Sequence, residues 1–122
     1  MEMPKKVLVV EDYADVRKMM STYLGLQGYE VVEASNGYEA VGVALEEKPD
    51  VILMDISMPV MDGIYSTKAI RDHAEFANIP IIALTAFGDF YKDRAREMGC
   101  DEVLQKPIDF GQLEELINQH LH

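Results

Sequence analysis

The sequence predicts an α/β fold: one doubly wound, five-stranded parallel sheet with five helices on its two faces. Short apolar or β-branched segments alternate with segments whose apolar residues recur at helical spacing. The strand segments, such as VILM at residues 51–54, are continuously apolar, as a sheet covered on both faces requires. No linker, repeat or low-complexity stretch interrupts this alternation over the 122 residues, so we expect one domain, spanning residues 1–122.

Five short segments have the composition of strands: residues 5–10, 31–33, 51–54, 80–84 and 102–105. The first helix lies between the first two strands, and Gly28 follows its end. Its inward-facing residues are predicted to be Val16, Met19, Met20, Tyr23 and Leu24. The third helix is expected over residues 63–73, and the fourth over residues 89–98, where Gly99 closes it.

Capping residues mark the starts of the second and fifth helices. Asn36 is the predicted N-cap of the second helix, and Glu39 stands three residues later, the offset of a capping box. Asp109 is the predicted cap of the fifth helix, with Gln112 at its third helical position. The inward-facing residues are Val41, Ala44 and Leu45 in the second helix and Phe110, Leu113, Leu116 and Ile117 in the fifth.

Composition excludes several classes of function. A formal net charge of −11 would repel nucleic-acid phosphates, so no DNA or RNA partner is expected. No apolar stretch approaches the roughly 20 residues of a membrane span, and the first apolar run stops at Glu11, too early for a secretory signal. We therefore expect a cytoplasmic protein that does not insert into membranes. The lone Cys100 is expected in the core, and the scattered His73, His120 and His122 do not form a zinc site.

Polar side chains follow the predicted strands. In chain order the strands end at Glu11-Asp12, Glu33-Ala34, Asp55, Thr85-Ala86 and Lys106-Pro107. Because parallel strands share a carboxyl edge, three carboxylates, a hydroxyl and an ammonium converge there if strands one, three, four and five are neighbours. The second strand would lie at the edge of the sheet.

Each of these residues has an ordinary explanation on its own, such as a turn, a helix cap or a solvated side chain. These ordinary explanations do not account for all of the residues at one edge, because clustered carboxylates repel one another and cost stability unless a cation shares the site. An all-oxygen ligand set is typical of a hard ion, so Mg²⁺ is expected, with Mn²⁺ as an alternative.

Four motifs together resemble the receiver domain of two-component response regulators. They are VVEDYADVR (9–17), DVILMDISMPVMDG (50–63), IIALTA (81–86) and DEVLQKPI (101–108). The resemblance covers essentially the whole chain, and it implies a flavodoxin-like strand order of 2-1-3-4-5. The 122 residues leave no room for a separate output domain, so we expect a receiver domain alone.

The resemblance implies a phosphorylation site. Asp55 would accept a phosphoryl group from the phosphohistidine of a sensor histidine kinase or a histidine phosphotransfer protein. Mg²⁺ would bind the side chains of Asp12 and Asp55, the carbonyl of Ser57 and, through a water, Glu11.

Other matched positions would support the transfer. Lys106 would pair with Asp55 and later with a phosphoryl oxygen, while Thr85 would move to hydrogen-bond the phosphoryl group. Pro59 and Gly63 match the loop after the third strand, where glycine would supply backbone freedom. The peptide bond before Pro107 would be cis.

Two features of the sequence depart from the family pattern. Val103 stands where the family usually carries Tyr or Phe, whose rotamer accompanies switching. Phe87, Phe90 or Tyr91 would either take over that role or pack under the fourth helix. Ser57 and Phe87 occupy positions that tune dephosphorylation, and Phe87 cannot orient a water by hydrogen bonding. We therefore expect a long-lived phosphorylated state whose decay is changed by Phe87→Glu.

The resemblance implies a signalling switch and not an enzyme that turns over a metabolite. It would pass its signal to an unknown downstream protein through the face formed by helix four, strand five and helix five. Four alternatives remain open: a phosphorelay intermediate or phosphate sink, a pseudo-receiver, a Mg²⁺-dependent phosphohydrolase with an aspartyl phosphate, and a flavin or dinucleotide carrier. The hydrolases commonly carry a second acid where Ser57 stands, and no glycine-rich phosphate loop follows strand one.

Overall fold

The computed structural model describes residues 3–56 and 63–121, apart from the side chains of residues 88–90. In chain order the elements are β1 (Lys6–Val10), α1 (Ala14–Leu26), β2 (Glu30–Ala34), α2 (Gly37–Glu47), β3 (Val51–Asp55), α3 (Gly63–Arg71), a 3₁₀ turn (Ala74–Phe76), β4 (Ile81–Thr85), α4 (Gly88–Glu97), β5 (Glu102–Gln105) and α5 (Phe110–Leu121). Within those residues, no helix combines the length and the apolar character needed to cross a membrane.

The five strands form one parallel sheet in the order β2-β1-β3-β4-β5, which confirms the predicted topology. Val10 pairs with Met54, Asp55 with Leu84, and Thr85 with Gln105. This register brings the carboxyl ends of β1, β3, β4 and β5 to the same level, and β2 lies at the edge as expected.

Alternate residues of each strand face opposite sides of the sheet and build two cores. One core contains Leu8, Ile52, Ile81 and other strand residues, packed against α2, α3 and α4. The other contains Val7, Leu53, Ile82 and their neighbours, packed against α1 and α5. Cys100 is buried in the first core with a free thiol, as expected. The continuously apolar strands are therefore explained by burial on both faces.

Several predicted boundaries differ from the structure by one or two residues. β4 begins at Ile81 and not at Pro80, because proline has no N–H to donate, although its carbonyl accepts from Ile52 N–H at 3.0 Å. β3 and β4 extend through Asp55 and Thr85, so both polar residues belong to the ends of strands. The third helix ends at Arg71, before the predicted residue 73, and the 3₁₀ turn follows.

The predicted caps are confirmed. Asn36 Oδ1 accepts from the backbone N–H of Glu39 at 2.9 Å, and Asp109 Oδ1 accepts from that of Gln112 at 3.1 Å. The Glu39 carboxylate reaches back to Ser35, one residue before the cap, where it accepts from the backbone N–H and the hydroxyl. The capping box is therefore present in a shifted form.

The prediction that Met19 faces inward is wrong. Met20 and Leu24 are fully buried against the sheet, but Met19 is 54% exposed. Successive residues of a helix lie about 100° apart, so Met19 and Met20 cannot both occupy the centre of one apolar stripe. Met19 instead lines an open groove next to Phe110 on the α1–α5 side.

Candidate functional site

The carboxyl edge of the sheet brings the predicted site residues together. Asp55 and Thr85 are the last residues of β3 and β4. Glu11 follows the last residue of β1, and Lys106 follows the last residue of β5. Because β3 lies between β1 and β4, Asp55 occupies the middle of this edge.

Three carboxylates form the floor of the site. Oxygen atoms of Glu11, Asp12 and Asp55 lie within 4.8 Å of one another. Glu11 and Asp55 are each only 2% exposed, whereas Asp12 is exposed to solvent. Glu11 Oε2 is buried and has no hydrogen-bond partner among the described residues. Three carboxylates, one of which has a buried oxygen with no hydrogen-bond partner among the described residues, are a suitable ligand set for a hard cation such as Mg²⁺.

Lys106 supplies positive charge to the two buried acids. Its Nζ lies 3.1 Å from Glu11 Oε1 and 3.2 Å from Asp55 Oδ2. The family resemblance implied the pair with Asp55, and the structure adds Glu11. Burial opposes the charged form of Lys106, but the two carboxylates outweigh it and raise the pKa of Lys106 above its ordinary value.

One ammonium does not neutralise two buried carboxylates, and Glu11 reflects the imbalance. Burial and then the proximity of Asp55 raise the pKa of Glu11 to about 8, against the opposing effect of Lys106. The raised pKa therefore favours a proton on Glu11 near neutral pH when no cation is bound. The site has a demand for one more positive charge, which a proton or a metal ion can meet.

Thr85 borders the carboxylates on the β4 side. Its side chain is fully buried, and its Oγ1 accepts from the backbone N–H of Phe87 at 3.0 Å. Its carbonyl accepts from the backbone N–H of Lys106 at 2.7 Å. The Thr85 hydroxyl is thus linked directly to the chain that begins α4.

Gly63 is required at the start of α3 for lack of space. A Cβ built there would collide with the Asp55 carbonyl oxygen and would lie 2.7 Å from Ile56 Cα. Close approach of α3 to β3 is therefore a reason for glycine that the sequence did not reveal. The Lys106–Pro107 peptide bond is cis, as expected. Ser57 and Pro59 lie outside the described residues.

The residues proposed for the output face lie in different environments. Phe87 is 62% exposed, next to the link with Thr85. Tyr91 and Val103 are partly buried against the core shared by α2, α3 and α4. The expectation of packing under the fourth helix therefore holds for Tyr91 but not for Phe87. The side chain of Phe90 lies outside the described residues.

Arg17 also lies near the site, and no role was predicted for it from the sequence. Its Nη1 donates to the backbone carbonyl of Glu11 at 2.7 Å, and its Nε donates to Glu33 Oε1 at 3.0 Å. The available signal was a cation one turn into the helix that follows the acidic pair, at the end of the motif VVEDYADVR.

Comparisons with known proteins agree with this geometry. A family model described as the response regulator receiver domain matches residues 7–118. The polar-differentiation response regulator DivK of Brucella anthropi is 40% identical over 122 residues, which are 98% of each chain.

Solved structures are also similar. The chemotaxis protein CheY4 of Vibrio cholerae has a TM-score of 0.92 and 34% identity, covering 98% of this chain and 100% of that one. The receiver domain of the sensor histidine kinase PA1611 of Pseudomonas aeruginosa has a TM-score of 0.89 and 30% identity, covering 98% of each chain. That structure holds a magnesium ion in its active-site cleft.

Proposed function

The chain belongs to the response regulator receiver domain family, and on that premise we propose that it is a phosphorylation-dependent signalling switch whose phosphoryl acceptor is Asp55. One observation carries the proposal. Asp55 is a buried carboxylate at the end of the middle strand, paired with Lys106 and clustered with Glu11 and Asp12.

Asp55 acts as the nucleophile. One of its carboxylate oxygens attacks the phosphorus of a phosphohistidine on a sensor histidine kinase or a histidine phosphotransfer protein. An O–P bond forms while the P–N bond breaks, and its electron pair stays on the donor's imidazole nitrogen. Lys106, 3.2 Å from Asp55 Oδ2, offsets the negative charge carried by the transferring group.

Glu11, Asp12 and Asp55 would hold the divalent cation, Mg²⁺ or Mn²⁺. The fit rests on their shared oxygen-only cluster and on the orphaned Oε2 of Glu11. When bound, the ion neutralises charge on the phosphoryl oxygens during the transfer. Ser57, whose carbonyl the resemblance adds to this set, lies outside the described residues.

Phosphorylation adds up to about two negative charges at the sheet edge. Lys106 then pairs with a phosphoryl oxygen, and the Thr85 hydroxyl turns toward the same group. In the unphosphorylated protein, Thr85 Oγ1 accepts from the backbone N–H of Phe87. Because the movement of Thr85 breaks this bond, it changes the first turn of α4. The signal is then read by a downstream protein that contacts this part of the surface.

The test is incubation with Mg²⁺ and acetyl phosphate, followed by intact-mass measurement. We expect the wild type to gain one phosphoryl group, and chelation of the cation to prevent the gain. Asp55→Asn should gain nothing. Asp93→Asn, which changes an exposed carboxylate on α4, is the matched control and should be modified like the wild type.

Two results would contradict the proposal. One is a phosphoryl gain by Asp55→Asn equal to that of the wild type, which would place the acceptor elsewhere. The other is a folded wild-type protein that gains no mass with either acetyl phosphate or a phosphorylated histidine phosphotransfer domain.

A further inference from the structure

Arg17 donates hydrogen bonds to both ends of the short segment 11–13, which contains Asp12. This segment joins Val10, the last residue of β1, to Ala14, the first residue of α1. The Arg17 side chain donates from Nη1 to the Glu11 carbonyl at 2.7 Å, while its backbone N–H donates to the Tyr13 carbonyl at 2.9 Å. Asp12 therefore lies between two carbonyl groups that are both bound by one residue.

The Arg17 side chain is itself held in place. Its Nε donates to Glu33 Oε1 of β2 at 3.0 Å, and only 20% of the side chain is exposed. The planar guanidinium has donors fixed in a fork, so it can bind the Glu11 carbonyl and the Glu33 carboxylate at the same time. The Arg17 side chain therefore connects α1 to the end of β1 and to β2.

This connection fixes the orientation of the Glu11–Asp12 peptide group. The N–H of Glu11 donates to the Ala34 carbonyl at 3.1 Å, and its carbonyl accepts from Arg17. The carbonyl bound by Arg17 lies in the peptide plane that leads into Asp12, so this bond restrains the direction in which the Asp12 side chain leaves the backbone. Asp12 needs this help, because its carboxylate is exposed and makes no hydrogen bond or ion pair to the other described residues.

We propose that Arg17 is a positioning residue for the cation site, acting through the Glu11 carbonyl to hold the Asp12 carboxylate next to Glu11 and Asp55. The inference rests on the proposed function, since it takes these carboxylates as cation ligands. It adds a residue that touches neither the cation nor the phosphoryl group. Residues that orient metal ligands from outside the ligand set typically contribute about 10–100-fold to affinity.

Because Arg17 is positively charged, an effect of charge and an effect of position change the affinity for Mg²⁺ in opposite directions. If charge alone mattered, its removal would reduce repulsion of the incoming cation and tighten Mg²⁺ binding. If position matters, its removal weakens binding because the Asp12 carboxylate is no longer held. We expect Arg17→Gln to weaken Mg²⁺ binding by about tenfold, measured by calorimetric titration with Mg²⁺ alone.

Two further variants complete the design. Lys18→Gln makes the same change of charge at the neighbouring, exposed position of α1, and it should bind Mg²⁺ at least as tightly as the wild type. Arg17→Lys keeps the charge but loses the fork, so it should fall between the wild type and Arg17→Gln. Thermal unfolding without cation identifies the folded variants, and Arg17→Lys carries the test if Arg17→Gln does not fold.

A second readout does not require a cation. In metal-free protein, the amide resonance of Asp12 should shift in Arg17→Gln and remain in place in Lys18→Gln. The inference is overturned if the folded Arg17 variants bind Mg²⁺ as tightly as the wild type, or if the Asp12 resonance does not move. Failure of the wild type to bind Mg²⁺ would instead overturn the cation site itself, while the Asp12 resonance would still report the effect of Arg17.

Discussion

At the residue scale, Glu11 has the least favourable environment in the described site. It is buried, it faces Asp55, and it shares a single ammonium with that carboxylate. Its Oε2 has no hydrogen-bond partner among the described residues. The folded protein therefore resists ionisation of Glu11, and the pKa of about 8 follows from burial and from the neighbouring charge. A cation site tolerates this cost because the bound ion removes it.

This raised pKa predicts how stability depends on pH in metal-free protein. The ordinary pKa of a glutamate is 4.5, so the unfolded chain loses this proton well before the folded chain does. Between the two values the folded state binds more protons, and the free energy of unfolding falls as pH rises. We expect Glu11→Gln to remove this component, and to be more stable than the wild type by at least about 1 kcal/mol near pH 8.

The measurement is urea unfolding with a chelator present, at several values between about pH 5 and about pH 8. The two proteins should have similar stability at the acid end, where Glu11 is protonated in both states, and diverge toward the alkaline end. Glu97→Gln, at an exposed carboxyl of α4, is the control and should follow the wild type. Parallel curves for the wild type and Glu11→Gln would show that the Glu11 carboxyl does not titrate in this way.

At the element scale, the approach of α3 to β3 depends on one missing methyl group. A Cβ at Gly63 would meet the Asp55 carbonyl and Ile56 Cα, which are backbone atoms that cannot turn aside. Gly63→Ala should therefore destabilise the protein by about 1–3 kcal/mol, as other overpacked positions do. At Gly42, inside α2, a Cβ would meet no described atom within 4 Å beyond its own helix backbone and chain neighbours, so Gly42→Ala should stabilise by about 0.5–1 kcal/mol.

Urea unfolding of the two variants compares the same chemical change in two environments. If Gly63→Ala lowers the free energy of unfolding and Gly42→Ala raises it, steric contact is the reason for glycine at the start of α3. A Gly63→Ala protein as stable as the wild type would mean that α3 can move away from β3 at little cost.

The elements could be predicted from the sequence because their signals are local. Asn36 and Asp109 cap the residues three positions later, and both bonds form as predicted. Met19 was placed wrongly because helical spacing alone does not define which residue lies at the centre of the stripe. That choice depends on how α1 is rotated against the sheet, which only packing determines.

The sequence allowed us to predict which residues lie at the site, but not which of them contact one another. Parallel strands share one carboxyl edge, so Asp55, Thr85 and Lys106 could be expected there together. The contact of Lys106 with Glu11 could not, because it crosses from the end of β5 to that of β1, past two intervening strands. The bond from Arg17 to the Glu11 carbonyl was missed for a related reason, since a backbone acceptor leaves no mark in the sequence.

At the scale of the whole molecule, described contacts of β4 and α4 lead from the site toward one face of the protein. Thr85 is bonded to Phe87 at the start of α4, and α4 packs on β5 through the core that includes Tyr91 and Val103. Val103 has no ring whose rotation could report phosphorylation. The bond between Thr85 and Phe87 is therefore a described contact through which a change at Asp55 can reach α4.

This bond gives the last prediction. When Mg²⁺ and beryllium fluoride mimic the aspartyl phosphate, Thr85 Oγ1 should release the Phe87 N–H in order to reach the mimic. Loss of a hydrogen bond of about 1 kcal/mol should speed amide exchange at Phe87 and in the first turn of α4 by about fivefold. Exchange in α2, on the part of the sheet remote from β4, should not change. Hydrogen–deuterium exchange resolved to single amides makes the measurement.

Two variants decide whether the bond itself is responsible. Thr85→Ala lacks the acceptor, so exchange at Phe87 should already be fast without the mimic and should not rise further when it is added. Asp55→Asn cannot bind the mimic and should keep the slow exchange of the resting wild type. If the mimic leaves Phe87 and α4 unchanged in the wild type, or changes α2 equally, phosphorylation does not reach the α4–β5 face through Thr85. Since Val103 has no aromatic ring to carry the change either, a downstream protein would then have to recognise a different surface.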